Sequence, residues 1–377
     1  TIRDSTALEL QALTTTGDLT VTAGGAVTNS GTLVIPGTTT ISASGHAVTL
    51  GDSSNNFGTT AITGANVAIT DTNAIILGAS TVSGTYAVTA GGAVTNSGTQ
   101  EITGITTISA SGHNVTLDTA TNNFANEVRI TGAVVTVVDE DAINLGASTV
   151  SGTYAVTAGG AVTQTGALAI TGATTISASG YNVTLNTATN NFQGAVGITG
   201  ATVAVVDAGA IVLGASVVSG TYTVTATAGG GITNTGVLAI TNGATFKVDG
   251  GQSISLDQAN TFSSAVTFVP LSGTITAVTI RDSTALELQA LTTTGGLTVT
   301  AGGAVTQSGT LVIPGTTTIS AVNGSSVKQD VTLNTATNNF GTLAITGADV
   351  TARDTNAIVL GASTVSGTYA VTAGGAV

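Results

Sequence analysis

Hydrophobic and polar residues alternate in short bursts along this chain, and small turn residues break every burst. Between Ala142 and Gly160, Ile143 and Leu145 alternate, Val150 follows, and Tyr154 alternates with Val156. Those side chains are expected to point inward while Asn144 and Ala155 point out, the period-two rule for strands. Gly-Ala-Ser, Ser-Gly-Thr and Ala-Gly-Gly lie between the bursts and signal turns. No segment keeps a 3.6-residue period with caps, so no long helix is expected.

The bursts repeat. The phrase V-T-A-G-G begins at Val21, Val88, Val156, Val299 and Val371, with a stretched form at Val224, giving spacings of 67, 68, 68, 75 and 72 residues. Asp4, Asp71, Asp139, Asp207, Asp282 and Asp354 keep the same rhythm, each three residues before an Ala that opens an alternating burst. Repeat units therefore run approximately over 4–70, 71–138, 139–206, 207–281, 282–353 and 354–377, the last one partial. Residues 1–43 recur at 279–321 with two changes, Asp18 to Gly296 and Asn29 to Gln307, which points to duplication of a four-unit block. Since the sequence begins inside one unit and stops inside another, it reads as a piece of a longer array.

Each unit divides again. Residues 114–141, 142–160 and 161–181 make segments of 28, 19 and 21 residues, and the 19-residue segment recurs at 7–25, 74–92, 285–303 and 357–375. Such lengths suit single coils of a stacked β-structure, two or three short strands joined by tight turns. The expected fold class is all-β, a right-handed parallel β-helix (β-solenoid), with about three coils per ~68-residue repeat. Residues 1–377 are expected to form a single continuous solenoid. With about 22 residues per coil, they make roughly 17 coils, stacked about 4.8 Å apart.

Composition sharpens this. Hydrophobic residues are 42% of the chain, charged residues 7%, with 51 Gly, three Pro and no Cys, Met or Trp. The apolar share, mostly small and β-branched, separates it from low-charge disordered chains. Six Lys plus Arg against 19 Asp plus Glu leave a net charge of −13. That balance lacks the basic footprint of a nucleic-acid partner and opposes adsorption to anionic membranes. Without cysteine there is no disulfide or thiolate metal site, and no apolar run is long enough for a membrane-spanning helix.

The recurring polar residues read as structural. Asn-Asn-Phe at 55–57, 122–124, 190–192 and 338–340, with a variant at Asn260–Phe262, reads as an Asn turn followed by a core aromatic. The six periodic Asp residues read as Asx turns, being too far apart along the stack to share a calcium ion. Asp139-Glu140-Asp141 allows at most a weak, incidental cation site. His46 and His113 align with Tyr181, an exposed loop position. All five tyrosines are nevertheless placed at strand positions where burial is expected, four of them at one point of the repeat: Tyr86, Tyr154, Tyr222 and Tyr369. Lys247 and Lys328, the only lysines, sit where a unit departs from consensus, and the insertion Val322–Asp330 is expected to form a small bulge. No clustered carboxylates, G-x-S-x-G, phosphate loop or metal-binding His pair occurs, so no catalytic, cofactor-binding or metal-binding residue is assigned and the chain is not expected to be an enzyme. Ice binding needs matched Thr pairs in nearly every coil. The third positions of successive coil starts, Thr49, Ile76, Thr95, Thr116, Asn144 and Thr163, are interrupted once in three, which leaves ice binding a minor alternative.

The runs V-T-A-G-G-A-V-T-N-S-G-T-L from Val21 and A-I-I-L-G-A-S-T-V-S-G-T-Y from Ala74 resemble the central repeats of filamentous-haemagglutinin-like proteins, large bacterial adhesins exported by two-partner secretion. The resemblance covers the whole chain and rests on a degenerate, compositional motif. It implies an extracellular or cell-surface location and a role in attachment or surface structure. The leading expectation is a non-catalytic, stiff spacer in an adhesin or surface filament. A self-assembling matrix, sheath or S-layer-like fibre is the alternative, and a glycan-binding module a minor one. Self-association, end to end or lateral, and a host or neighbouring cell surface, met through regions outside these residues, are the expected partners.

Overall fold

The computed structural model describes residues 1–377, in two compact units, Thr1–Tyr181 and Asn182–Val377. Each unit is all-β, built from parallel strands that stack turn upon turn as a β-solenoid. The chain makes about 19 turns of ~20 residues. In the first unit one ladder climbs from Leu8 through Val27, Val48, Val67, Tyr86 and Thr106 to Val128, each residue opposite the next across parallel strands. In the second, Val203 leads through Tyr222 and Ala244 to Val266 in the same way.

The turns are shorter and more numerous than the 17 coils of 22 residues expected. The 28-residue segment 114–141 explains the difference. It is not one long coil, because Val115 at its start pairs with Val135 near its end. That segment therefore holds a whole turn and one strand more.

This extra strand shifts the repeat against the turns. Three turns from Val67 end at Val128, but the repeat equivalent of Val67 is Val135, which pairs instead with Val115 and Tyr154. The second unit does the same. The ladder from Val203 reaches Val266, while the equivalent residue Val278 pairs with Ile254 and Leu297. One repeat thus spans three turns plus one further strand, and each repeated motif moves to the next side of the solenoid. Tyr86 and Tyr154 consequently lie in different ladders. The Thr column expected from coil starts dissolves for the same reason: Thr49 faces Ala68, not Ile76. What forms instead is a short run, Thr95, Thr116 and Thr136, bounded by Ile76 and Ala155.

Alternation fixes the core. In Tyr154–Ala158 the residues Tyr154, Val156 and Ala158 are buried and Thr157 is exposed. Val135–Asp139 and Val203–Asp207 repeat that alternation, burying two Val and the closing Asp while Thr136, Val138, Ala204 and Val206 are half-buried. Each fully buried Val, Leu or Ile stabilises the stack by roughly 1.5–3 kcal/mol relative to exposure. The largest fully buried side chains are Tyr86, Tyr154, Tyr222 and the phenylalanines 57, 124, 192, 246, 262 and 340. Phe246 and Phe268 depart from the repeat consensus and build an aromatic cluster in the second unit. Phe246 meets Tyr222 edge-on at 6.1 Å and Phe262 edge-on at 6.2 Å, and stacks on Phe268 at 6.0 Å. Tyr181 breaks the expectation of tyrosine burial, being 48% exposed. It sits in the tight turn closed by Tyr181 N–H to Ala178 O, where Gly180 holds φ at 82°.

The buried tyrosines carry a cost. The Tyr154 hydroxyl is enclosed without a hydrogen-bond partner. It faces Ser148, whose Oγ already donates to Gly146 O and accepts from Ile130 N–H. Burial pushes the Tyr154 phenol up, and Ser148 opposes this only in part. Tyr154→Phe removes an unsatisfied polar atom and keeps the packing. Its unfolding free energy is expected to stay within about 1 kcal/mol of the parent, on the stabilising side, as read from urea denaturation.

Candidate functional site

Chemistry-bearing side chains gather at the corners between turns. Asp71 shows the design. Its Oδ1 accepts the Asn73 N–H at 2.9 Å, an Asx turn, while its Oδ2 accepts the Phe57 N–H of the preceding turn at 2.6 Å. Asp139 holds Asp141 and Phe124 N–H, Asp207 holds Gly209 and Phe192, Asp282 holds Thr284 and Phe262, and Asp354 holds Asn356 and Phe340. Asp4 makes only the local half, to the N–H and hydroxyl of Thr6. The Asx turn was legible in the sequence. The tie between turns was not, although a constant Phe-to-Asp spacing of 14 or 15 residues in four of five cases signals it.

The Asn of each Asn-Asn-Phe is buried just beside this carboxylate. Asn122 is the fullest example. Its Oδ1 accepts the Gln100 N–H at 3.0 Å and the Asn96 Nδ2 at 2.8 Å, and its Nδ2 donates to Leu117 O at 3.2 Å and Val138 O at 3.3 Å. Asn55, Asn260 and Asn338 likewise accept the N–H of Leu33, Leu238 and Leu311. These amides stitch three successive turns together with bonds that the strand ladders leave unmade.

Burial sets the electrostatics of the corners. It raises the carboxyls of Asp71, Asp207 and Asp282, against the backbone donors that lower them. Asp139 is lifted from 3.8 to about 6, first by burial, with Asp141 and Glu140 adding to the rise while the Phe124 and Asp141 N–H groups oppose it. A folded-state value above the unfolded one means the folded state binds the proton more tightly. Stability from this group is therefore greatest below the unfolded value and is lost as pH rises through about 6. Carbon-detected NMR titration of the Asp139 carboxyl is expected to show a midpoint near 6, and urea stability is expected to fall between pH 4 and pH 6. An Asp139 midpoint at an ordinary carboxylate value would mean that the Phe124 and Asp141 N–H groups outweigh burial at this corner.

The remaining candidates are dispersed. In Asp139-Glu140-Asp141 the first carboxylate is buried and faces inward, whereas Glu140 and Asp141 are exposed, so the three do not converge. His46 and His113 are exposed in tight turns, each N–H bonded back to Ala43 O or Ala110 O. Arg129 and Glu127 form a 2.7 Å ion pair two residues apart on one strand. Lys247 lies on the outer face of the strand Ala244–Val248. The insertion at Val322–Asp330 forms a small hairpin in which Val322 and Lys328 bridge antiparallel. Two clefts of the second unit flank the corner from Arg281 to Glu287, one of them under this hairpin.

Comparison with known proteins adds a family. No curated protein and no solved structure matches the chain. One family model, repeats of unknown function (DUF5649), matches six times in succession, over residues 1–63, 64–131, 131–199, 200–269, 276–346 and 347–377. The matches have the period of the Asp and V-T-A-G-G landmarks and together take in nearly every residue, so the chain belongs to the DUF5649 family of repeats of unknown function.

Proposed function

We propose that this region is a non-catalytic structural segment of an extracellular bacterial protein, a stiff spacer that holds other parts of an adhesin or surface filament away from the cell. The observation that carries this is the use made of the buried polar groups. Asp71, Asp139, Asp207, Asp282 and Asp354 spend both carboxylate oxygens on backbone N–H groups, in four of the five one of them on a Phe 14 or 15 residues earlier. A catalytic carboxylate keeps an oxygen for its substrate, whereas these five have both oxygens bonded to the main chain. A stack in which each turn is tied to its neighbours resists extension and proteolysis, and grows by duplication without redesign. The near-copy of residues 1–43 at 279–321 has that character. The likeness to filamentous-haemagglutinin-like repeats supports surface export and attachment through parts of the protein outside these residues.

A second reading, lateral self-assembly into a matrix or sheath, is favoured by one feature. Val217 and Val237 are 58% and 45% exposed on neighbouring turns of a side that carries no charge between Ala195 and Val206 or between Ala210 and Ala239.

Limited digestion with a broad-specificity protease tests the spacer role. The 377-residue chain is expected to survive with cleavage confined to the 322–328 hairpin and the last turn. Rapid nicking at many turns would rule it out.

A further inference from the structure

The duplicated block supplies an internal comparison. Residues 3–5 and 281–283 are both Arg-Asp-Ser, and Arg3 lies beside Thr22 as Arg281 lies beside Thr300. After Ala43 the first copy closes through Ser44-Gly45-His46, with His46 N–H bonded to Ala43 O. After Ala321 the second copy inserts the hairpin, pinned by Asn323 N–H to Val327 O and by Asn323 Oδ1, which accepts the N–H groups of Ser325 and Val327. This hairpin, which the first copy lacks, stands at the corner that carries Arg281. Beneath it is a cleft of about 280 Å³ lined by Arg281, Asp282, Ser283, Thr300, Val322 and Asn323, with Gly302 and Gly324.

The groups facing this cleft are mainly donors. Asp282 is buried and its carboxylate is committed to Phe262 N–H and to the N–H and hydroxyl of Thr284. Arg281 is exposed and its guanidinium makes no ion pair, the chain's one ion pair being Arg129 with Glu127. With Asn323 Oδ1 occupied, its amide N–H groups remain for a ligand, as does the Thr300 hydroxyl. Val322 adds one apolar wall. The volume sits just below the range of about 300–1,000 Å³ typical of small-molecule sites, which suits a ligand of one ring. A single planar guanidinium pairs a carboxylate in bidentate fashion. The neighbouring hydroxyl and amide match ring hydroxyls, and no aromatic is present to stack a base.

We propose that the cleft between the 322–328 hairpin and Arg281 binds a carboxylate-bearing sugar residue, a hexuronate or similar acidic saccharide. This goes beyond the spacer role, and its failure would leave that role standing. The test is calorimetric or saturation-transfer titration of the full 377-residue chain with glucuronate, glucose, acetate and a short oligouronide.

Glucuronate is expected to bind, with glucose and acetate at least about tenfold weaker, a difference of about 1.4 kcal/mol. A tighter oligouronide would assign the ligand to a polysaccharide; equal affinity would assign it to the free sugar. Arg281→Gln is expected to cost at least about tenfold, while Arg3→Gln, in the copy without the hairpin, leaves affinity unchanged. Replacing residues 322–329 by Ser-Gly-His, the turn of the first copy, is expected to abolish binding. Circular dichroism checks that each variant keeps its strand content. The proposal is overturned by no glucuronate binding at about 10 mM, by full affinity in Arg281→Gln, or by acetate binding as tightly as glucuronate.

Discussion

Asn122→Ala is expected to lower the local unfolding free energy by about 4 kcal/mol. The amide is fully buried and makes four hydrogen bonds, two as acceptor and two as donor. Alanine leaves the Gln100 N–H and the Leu117 carbonyl enclosed without those partners, and each such group costs about 1–3 kcal/mol. It also opens a small void beside Phe124, which is 1% exposed. Because each turn touches only its neighbours, the damage is local. Amide hydrogen exchange is expected to speed up around Gln100, Leu117 and Val138 while the ladder at Leu8, Val27 and Val48 keeps its protection. Uniform loss of protection along the first unit would refute nearest-neighbour stacking, and a loss below about 1 kcal/mol would refute the structural role of the amide.

Gly159→Val is expected to be comparably severe, about 3–5 kcal/mol. A Cβ at Gly159 would overlap the backbone carbonyl of Glu140 in the preceding turn, and the next glycine, Gly160, presses on the backbone of Ala142. Turns in a parallel stack sit about 4.8 Å apart and cannot separate without breaking ladder bonds, so the overlap has no cheap relief. Gly112 gives the contrast. It needs glycine for its φ of 76°, yet nothing lies near its missing Cβ. Gly112→Ala is expected to cost only about 1–2 kcal/mol of backbone strain. If urea denaturation ranked the two substitutions the other way, contact between turns would not be what fixes the Ala-Gly-Gly corner.

Much of this architecture was legible in the residues. Alternation at Ile143, Leu145, Tyr154 and Val156 marked the inward face, and the recurring Asp and Ala-Gly-Gly marked the corners. Hydrophobic alternation reports which residues face inward but not which turn they stack on, so the segment 114–141 passed for one coil. Only the pairing of Val115 with Val135 reveals the extra strand that carries each repeat to a new side. Stacking also hides the corner chemistry. Asp139 reaches Phe124 across a turn, and Arg281 and Asn323 line one cleft only because intervening turns and a hairpin bring them near. Tyr181 was misplaced for a simpler reason: a tyrosine suggests burial, whereas its alignment with His46 and His113 pointed to the exposed turn it occupies.

The sidedness of the repeat bears on function. A surface motif that moves to the next side with each repeat cannot build a long flat array on one side, as ice binding would require. It suits a segment whose sides are interchangeable, and a site that arises once, by insertion, as at Val322–Lys328.

Electron microscopy of the native, full-length protein is the most direct test of the spacer. Isolated thin rods with a distinct tip, and an axial spacing of about 4.8 Å between strands, are the expected result. Bundles or sheets with a fixed lateral repeat would contradict it, and would make the outer faces of the repeats the functional surface.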